Sequence, residues 1–351
     1  MPVDQVRLSI TIPTFNRAEC LRECLESIRV ALSSVQAKGQ CEVVISDNDS
    51  TDHTGLVVKA FEKDIRIRYF RQSTNIGAHA NFRAVAALAN GTYVWILGDD
   101  DKIVPEAVRK ILEGLEKGIG AVVCNVSIYD HSFSRVIRPR FIEVSENIIF
   151  NEPDQVLAKL GIHVGYISGV ILNRQAFLNV PLADYQRFDQ GGSCFMYAAY
   201  LVLRASGRVL FLAEPLVMNR GGEGESQYFG DGDSAASPLD RWWITTFAVG
   251  FPQALAALQP CGYSFRAIRT AYAHTTLFYL LPRLMFLKNA GRPVRGLVRE
   301  GVRNMAASWT VWCLLLPAAV MPGAVLRGLK FIKCRLVKWI KEESEHEPVD
   351  I

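Results

Sequence analysis

Three consecutive carboxylates, Asp99, Asp100 and Asp101, follow the apolar run at residues 94–97. Like charges this close repel one another, and the repulsion grows where solvent is excluded, so we expect a cation beside them. Mg²⁺ and Mn²⁺ fit, because proteins hold them through one or two carboxylates and leave other positions for substrate phosphates. A solvated turn that caps the next helix is the alternative, and the triplet alone does not decide between the two.

Polar or small residues also follow each of the three earlier apolar runs. Those able to contact a ligand are Pro13, Thr14, Asn16, Arg17, Asp47, Asp49, Asn75 and Gly77. Asp47 and Asp49 can accept hydrogen bonds from a base N–H or from ribose hydroxyls, and Arg17 can bind a phosphate through two parallel bonds. The set predicts a nucleotide diphosphate held at both ends. It therefore favours a metal site at the acidic triplet over a helix cap.

Short apolar runs alternate with longer helical patterns between residues 6 and 129. The runs cover residues 8–12, 43–45, 67–70, 94–97 and 121–123. Apolar residues at helical spacing, such as Leu21, Leu25 and Ile28, lie between the first two runs. This alternation predicts an α/β fold with a mostly parallel sheet. Because ligands bind beyond the carboxyl ends of the strands of such sheets, the polar residues above should converge on one rim.

The pattern changes twice beyond residue 130. Residues 131–219 are predicted to extend the same sheet. The elements expected there are strands at 169–172 and 209–212 and a helix over 193–205. Residues 220–238 are rich in Gly and Ser and predict a flexible loop, of a length usual in lids and linkers. Residues 239–351 are predicted to be helical.

Four strings occur in a specific order and spacing, namely PTFNR, SDNDSTD, NIGAHANFRAVAALANGTYVWILGDDD and KIVPEA. Over about the first two fifths of the chain, they resemble family 2 inverting glycosyltransferases of the GT-A fold. The resemblance implies a Rossmann-like sheet with flanking helices, a nucleotide-sugar donor and bound Mg²⁺ or Mn²⁺. It implies a catalytic domain over residues 1–219, with a nucleotide-sugar-binding half at 1–130 and an acceptor half at 131–219.

The same resemblance gives roles to individual residues. Those implied to line the nucleotide pocket are Pro13, Thr14, Asn16 and Arg17, with Asp47 meeting the base. Asp99 to Asp101 stand where the family's DXD motif holds ribose and metal. Aligning Pro105 with the proline that often follows this motif makes Asp100 the first choice of metal ligand.

A finer resemblance is carried by YVWILGDDD, SGVILNR from Ser168, and VLFLAEPLVMNRGGEGES. These strings are similar to abequosyltransferase-like enzymes of bacterial O-antigen assembly. That implies transfer of a single sugar, such as a deoxy or dideoxyhexose, with inversion, to a lipid-linked saccharide of the cell envelope. LDRWW at residues 239–243 lacks the Gln of the QxxRW motif of processive synthases, which also favours single-sugar addition.

Sugar transfer needs a general base, and the sequence indicates this residue less strongly than it indicates the metal and nucleotide sites. Related enzymes place an Asp at the start of the helix after the acceptor loop, but here that helix begins Ser193-Cys194. We predict Asp189, just upstream, as the catalytic base. The alternatives are Asp184, Glu223 and Glu225.

The C-terminal part predicts a membrane-associating region. Residues 305–326 carry no charge and are long enough to cross a bilayer, yet Pro317, Pro322 and basic residues on both flanks favour a re-entrant or in-plane arrangement. Residues 327–341 place basic and apolar side chains on opposite sides of a helix, as an interfacial helix requires, and an ordinary amphipathic helix packed on the catalytic domain is the alternative. This part of the chain therefore predicts a membrane surface as partner, and no nucleic acid.

The cysteines and the N-terminal sequence indicate in which cellular compartment the protein lies. The eight cysteines lack the spacing of a zinc site, and the chain begins without a long apolar segment. Thiols of this kind persist in reducing compartments, so we predict the cytoplasmic face of the bacterial inner membrane.

Two other functions compete with sugar transfer. A nucleotidyltransferase would use a similar sheet, but it should carry a glycine-rich basic signature near the N-terminus, which PTFNR does not supply. A membrane-bound scaffold with a degenerate transferase domain is conceivable because the usual base is missing.

Overall fold

The computed structural model describes residues 6–33, 38–115, 118–189, 193–221, 244–289, 291 and 293–321. Within these residues the strands are β1 (Leu8–Thr14), β2 (Cys41–Asp47), β3 (Ile67–Arg71), β4 (Tyr93–Ile96), β5 (Lys102–Ile103), β6 (Ala121–Tyr129), β7 (Val136–Arg138), β8 (Ile148–Phe150), β9 (Val170–Asn173) and β10 (Val209–Arg220). They form one sheet in the order β3-β2-β1-β4-β9-β6-β10-β5, with β7 paired to β6 and β8 to β10.

The N-terminal strands form the parallel part of the sheet. β1 lies between β2 and β4, and β3 pairs with β2, all in parallel. β1 and β2 are buried along their whole length, including their polar residues, and Ser9 of β1 donates a hydrogen bond to Glu42 of β2 at 2.7 Å. Thr14 at the end of β1 pairs with Asp47 at the end of β2, so the polar loops that follow leave the sheet at the same edge.

The second part of the sheet is mixed. β9 is antiparallel to both β4 and β6, whereas β10 is parallel to β6 and antiparallel to β5 and β8. The predicted extension of the sheet beyond residue 130 is therefore confirmed by β9 and β10. β10 runs further than the predicted strand at 209–212, because irregular pairing around Pro215 lets it continue beside β6 to Arg220.

Helices cover both faces of the sheet. They are α1 (Ala18–Ser33), α2 (Thr54–Phe61), α3 (Ala78–Leu88), α4 (Ala107–Leu115), α5 (Pro153–Leu160), α6 (Arg174–Leu178), α7 (Leu182–Gln186), α8 (Cys194–Ala205), α9 (Phe251–Ala256), α10 (Phe265–Thr275), α11 (Leu281–Asn289), α12 (Arg295–Met305) and α13 (Leu316–Val320). Alternate residues of a strand enter different cores, since Trp95 packs with α1 and α4 whereas Val94 and Ile96 pack with α3 and α8.

The helices after residue 244 share a core with the α/β part. Phe247, Leu255 and Ile268 are buried in the same cluster as α3, α5 and α8. Much of the predicted loop at 220–238 and the whole predicted interfacial helix at 327–341 lie outside the described residues. In the part of the chain that is described, no helix has the length and apolar character needed to cross a membrane.

Candidate active site

A cavity of about 830 Å³ opens at the carboxyl ends of β1, β2 and β4. Of the residues predicted from the sequence, those that line it are Pro13, Thr14, Asn16, Arg17, Asn75, Asp99 and Asp100. The parallel strands end at this edge, and the loops that follow them supply the lining. The predicted convergence of polar residues on one rim is therefore confirmed for this set.

Asp99 is held from two sides. Its carboxylate is almost fully buried, with 4% of the residue exposed. Thr14 Oγ1 donates a hydrogen bond to Asp99 Oδ2 at 2.7 Å, and Arg17 Nη1 donates to Asp99 Oδ1 at 2.9 Å. One carboxylate is thus fixed against the end of β1.

Asp100 is the most accessible acid of the triplet. Its side chain is 22% exposed, lines the cavity, and accepts a hydrogen bond from Arg17 Nη1 at 3.2 Å through Oδ2. The same Arg17 nitrogen therefore bridges Asp99 and Asp100. Arg220 Nε donates to the main-chain oxygen of Asp100 at 3.2 Å, which helps to hold the backbone of the triplet.

Asp101 lies in different surroundings. Only 2% of the residue is exposed, and Oδ2 accepts hydrogen bonds from Tyr166 and Ser168 at 2.6 and 2.5 Å. Asn219 donates to Oδ1 at 3.0 Å. These bonds tie the turn after β4 to β10 and to the segment before β9. As a metal ligand, Asp101 stays a prediction, and its oxygens are already used by these donors.

Burial and mutual repulsion raise the pKa values of the two enclosed acids. Burial, followed by the neighbouring charge of Asp100, raises the pKa of Asp99 to about 6 and that of Asp101 to about 7. The hydrogen bonds from Thr14 and Arg17 only partly offset this. A further positive charge placed beside Asp99 and Asp100 would thus lower the energy of the ionised site.

Asn16 joins the first two loops. Its backbone has a positive φ of 52°, a conformation that Asn tolerates, and its Oδ1 accepts a hydrogen bond from the Thr51 N–H at 2.7 Å. Asp52 accepts from the N–H of Ala18 and of Thr54, both at 3.0 Å, and so caps the starts of α1 and α2 together.

Asp47, Asp49 and Gly77 are not among the described residues that line the cavity. Asp47 is buried and accepts a hydrogen bond from the Tyr69 hydroxyl at 2.5 Å, whereas Asp49 pairs with Arg71 at 2.9 Å on the surface. Gly77, with φ of 86°, precedes α3. Their roles in binding a nucleotide-sugar stay predictions.

Residues 9–180 match the family model described as Glycosyl transferase family 2. These residues form a glycosyl transferase family 2 domain. The predicted resemblance is therefore confirmed, and the matched range includes every cavity-lining residue named above.

Two curated relatives support the finer resemblance. The chain is 35% identical over 120 residues to the abequosyltransferase RfbV of Salmonella typhimurium, which is 34% of this chain and 35% of the relative. It is 32% identical over 124 residues to a GalNAc(5)-diNAcBac-PP-undecaprenol beta-1,3-glucosyltransferase of Campylobacter jejuni, covering 35% and 38%. The matches thus span little more than a third of each relative.

The family 2 domain also has the expected fold. The chain is similar to the mannosyltransferase PcManGT from Pyrobaculum calidifontis, solved in complex with GDP-Man and Mn²⁺, with a TM-score of 0.51. The two are 15% identical, and the match covers 92% of this chain and 87% of that one. The predicted GT-A-like α/β fold is confirmed.

The sequence missed several residues of the family 2 site. Phe15, Asn48, Phe82 and His131 also line the cavity. Asn48 Nδ2 donates to the predicted residue Asn75 at 2.8 Å, so a signal was present in the amide next to Asp47. His131 enters from the loop after β6, which no strand-end motif marks.

Asp189, the predicted base, lies on the surface with its side chain 57% exposed. Its Oδ1 pairs with Nδ1 of His79 in the first turn of α3, next to the cavity-lining residue Ala78. Cys194 lies nearby, with the ligand atoms of all three residues within 4.8 Å of one another. Burial raises the pKa of the Cys194 thiol to about 12, which makes it a poor metal ligand. The role of Asp189 stays a prediction.

The cavity itself offers a better metal site. Asp99 and Asp100 supply hard oxygen donors at one edge of the cavity. The raised pKa of Asp99 indicates that an added positive charge would stabilise its ionised form. Mg²⁺ and Mn²⁺ prefer such oxygens and bind with few protein ligands. The residues present therefore fit either ion, with Asp100 as the accessible ligand.

Proposed function

We propose that this chain is an inverting, metal-dependent glycosyltransferase that moves one sugar from a nucleotide-sugar to a lipid-linked saccharide of the bacterial cell envelope. The observation that carries the proposal is the joint placement of Asp99, Asp100 and Arg17 at the edge of one strand-end cavity. Two carboxylates beside a guanidinium suit a metal–diphosphate complex, because the carboxylates can bind the metal and the guanidinium can bind the diphosphate.

The cavity has a suitable group for each part of the donor. Asn48 and Asn75 offer amides for a base or ribose, while Arg17 can pair with a phosphate through its planar fork. Asp100 would hold the metal. Binding of GDP-Man and Mn²⁺ by the mannosyltransferase of similar fold supports this use of the pocket.

The chemistry follows from the charges. A bound Mg²⁺ or Mn²⁺ would neutralise the negative charge that develops on the leaving diphosphate. Arg17 would add to this stabilisation, which grows as the bond to the sugar breaks. Asp189 would accept the proton of the acceptor hydroxyl, and His79 would hold its carboxylate in place.

The proposal of a lipid-linked acceptor at a membrane is supported by a relative and by the surface of the helices after residue 244. One curated relative acts on an undecaprenol-linked saccharide. Trp309 and Trp312 are 39% and 51% exposed, and the arginines Arg299 and Arg303 of α12 are also exposed. Such a mixture suits the headgroup region of a membrane. We propose binding at the cytoplasmic face of the inner membrane.

A thermal-shift panel of nucleoside diphosphates tests the donor site. The panel combines UDP, GDP, CDP, ADP and dTDP, each with Mn²⁺ or with EDTA. One base should raise the melting temperature more than the others, and more with Mn²⁺, since bound ligand stabilises the folded state by mass action.

The Asp100→Asn variant supplies the matched test. It should lose the Mn²⁺-dependent part of the shift, whereas Asp64→Asn, which removes an exposed acid outside the cavity, should keep it. An unchanged Mn²⁺-dependent shift in Asp100→Asn would refute the metal assignment.

A further inference from the structure

Arg17 lies between the two carboxylates that would bind the metal. A single nitrogen, Nη1, is 2.9 Å from Asp99 Oδ1 and 3.2 Å from Asp100 Oδ2. A divalent cation at this place would be held by the same two residues, Asp99 and Asp100. The Arg17 guanidinium and the metal would therefore compete for the same two carboxylates.

The surroundings allow Arg17 to leave this position. Its side chain is 33% exposed and lines the cavity, so another location within the same space is open to it. Its backbone is fixed independently, because the Arg17 carbonyl accepts a hydrogen bond from Leu21 in α1 at 2.9 Å. Asp99 keeps its bond to Thr14 when the guanidinium moves.

We propose that Arg17 is the internal counter-ion of the metal-free site, and that it gives up Asp99 and Asp100 to the metal and then pairs with the diphosphate. The inference rests on the proposed function. A guanidinium does not lose its proton, so Arg17 keeps its positive charge when it leaves the two carboxylates. The diphosphate of the donor is an anion in the same cavity with which it can pair.

This exchange couples the binding of metal and diphosphate. Metal alone must compete with the Arg17 guanidinium for Asp99 and Asp100 and brings further positive charge into the cavity. A diphosphate alone meets two carboxylates of its own sign. With both present, each positive group faces a negative one, so each ligand should strengthen the other, as linkage requires.

Titration of the full chain with Mn²⁺, followed by electron paramagnetic resonance of the free ion, tests the competition. Arg17→Gln should bind Mn²⁺ alone about tenfold more tightly than the wild type, because the competing cation is gone. Arg29→Gln removes one positive charge from α1, the helix that follows Arg17, where Arg29 pairs with Glu26 on the surface, and this variant should match the wild type. Equal or weaker Mn²⁺ binding by Arg17→Gln would overturn the proposal.

Inorganic pyrophosphate tests the coupling without knowledge of the base. It should tighten Mn²⁺ binding by the wild type by about tenfold and by Arg17→Gln by less than about threefold. Arg17→Lys keeps the charge, so its affinity for Mn²⁺ alone should stay within about threefold of wild type. An equal effect of pyrophosphate on Mn²⁺ binding in wild type and Arg17→Gln would contradict the exchange. So would an affinity of Arg17→Lys for Mn²⁺ alone that rises as much as that of Arg17→Gln.

The result also separates this inference from the proposed function. If wild type binds Mn²⁺ with a nucleoside diphosphate but Arg17→Gln shows no gain in Mn²⁺ affinity, only the counter-ion role is wrong. If neither protein binds Mn²⁺ with or without pyrophosphate, both the counter-ion role and the proposed metal dependence are wrong.

Discussion

Three adjacent aspartates have three different environments in this site. Asp100 faces the cavity, Asp99 is buried between Thr14 and Arg17, and Asp101 is enclosed by donors from distant segments. The sequence predicted the cluster and preferred Asp100. It could not separate Asp99 from Asp101, because the partners of Asp101 lie at Tyr166, Ser168 and Asn219, far away along the chain.

The buried acids predict how stability depends on pH in the absence of metal. The folded-state pKa values, about 6 for Asp99 and about 7 for Asp101, lie above the ordinary value of 3.8. A raised pKa stabilises the fold below the unfolded value, and that contribution is lost as pH rises through the folded value. With EDTA present, the free energy of unfolding should fall by about 4 kcal/mol between about pH 5 and about pH 8, and Asp101 should contribute the larger part of this change.

Urea unfolding of wild type and Asp101→Asn at the two pH values checks this. The variant should show a smaller pH dependence because one of the two titrating acids is gone, while Asp64→Asn should behave as wild type. A pH dependence unchanged in Asp101→Asn would show that the enclosed acid does not titrate as described.

At the scale of elements, the turn after β4 depends on the segment before β9. Ser168 is fully buried, accepts a hydrogen bond from the Gly98 N–H at 2.9 Å and donates to Asp101 at 2.5 Å. Its carbonyl accepts from the indole N–H of Trp95 at 2.7 Å. The sequence predicted both strands from their apolar runs, but not their antiparallel contact, because pairing depends on the whole sheet.

Ser168→Ala should destabilise the fold by about 1–3 kcal/mol, since it leaves the Gly98 N–H without its partner and removes one of the hydrogen bonds that the buried Asp101 carboxylate accepts. Chemical denaturation measures the change. Ser33→Ala, which removes an exposed hydroxyl bonded only locally to Val30, should cost less than about 0.5 kcal/mol. Equal effects of the two substitutions would contradict the structural role of Ser168.

At the scale of the molecule, the helical part joins the α/β part through a common core. Leu255 and Ile268 pack into the cluster that contains α8, so residues 244–321 are not a separate appendage. Sequence patterns indicated helices here, but not what they pack against, because apolar helix faces look alike in a membrane and in a protein core. Trp309 and Trp312 remain on the outside.

The proposed membrane contact predicts binding to anionic vesicles. Replacing Trp309 and Trp312 together by Ser should lower the fraction of full-length protein that floats with phosphatidylglycerol vesicles by about fivefold or more, through lost apolar contact. Leu56→Ser, at a residue 71% exposed on α2, is the control and should bind as wild type. Unchanged flotation of the tryptophan variant would exclude this surface as the contact.

Calorimetric titration of the nucleoside diphosphate selected by the thermal panel, with Mn²⁺ or with EDTA, tests the proposed donor site most directly. The wild type should bind at least about tenfold more tightly with Mn²⁺, while Asp100→Asn should gain less than about threefold. Equal affinity with Mn²⁺ and with EDTA in the wild type, or the full gain in Asp100→Asn, would contradict a metal–diphosphate site at the end of β4.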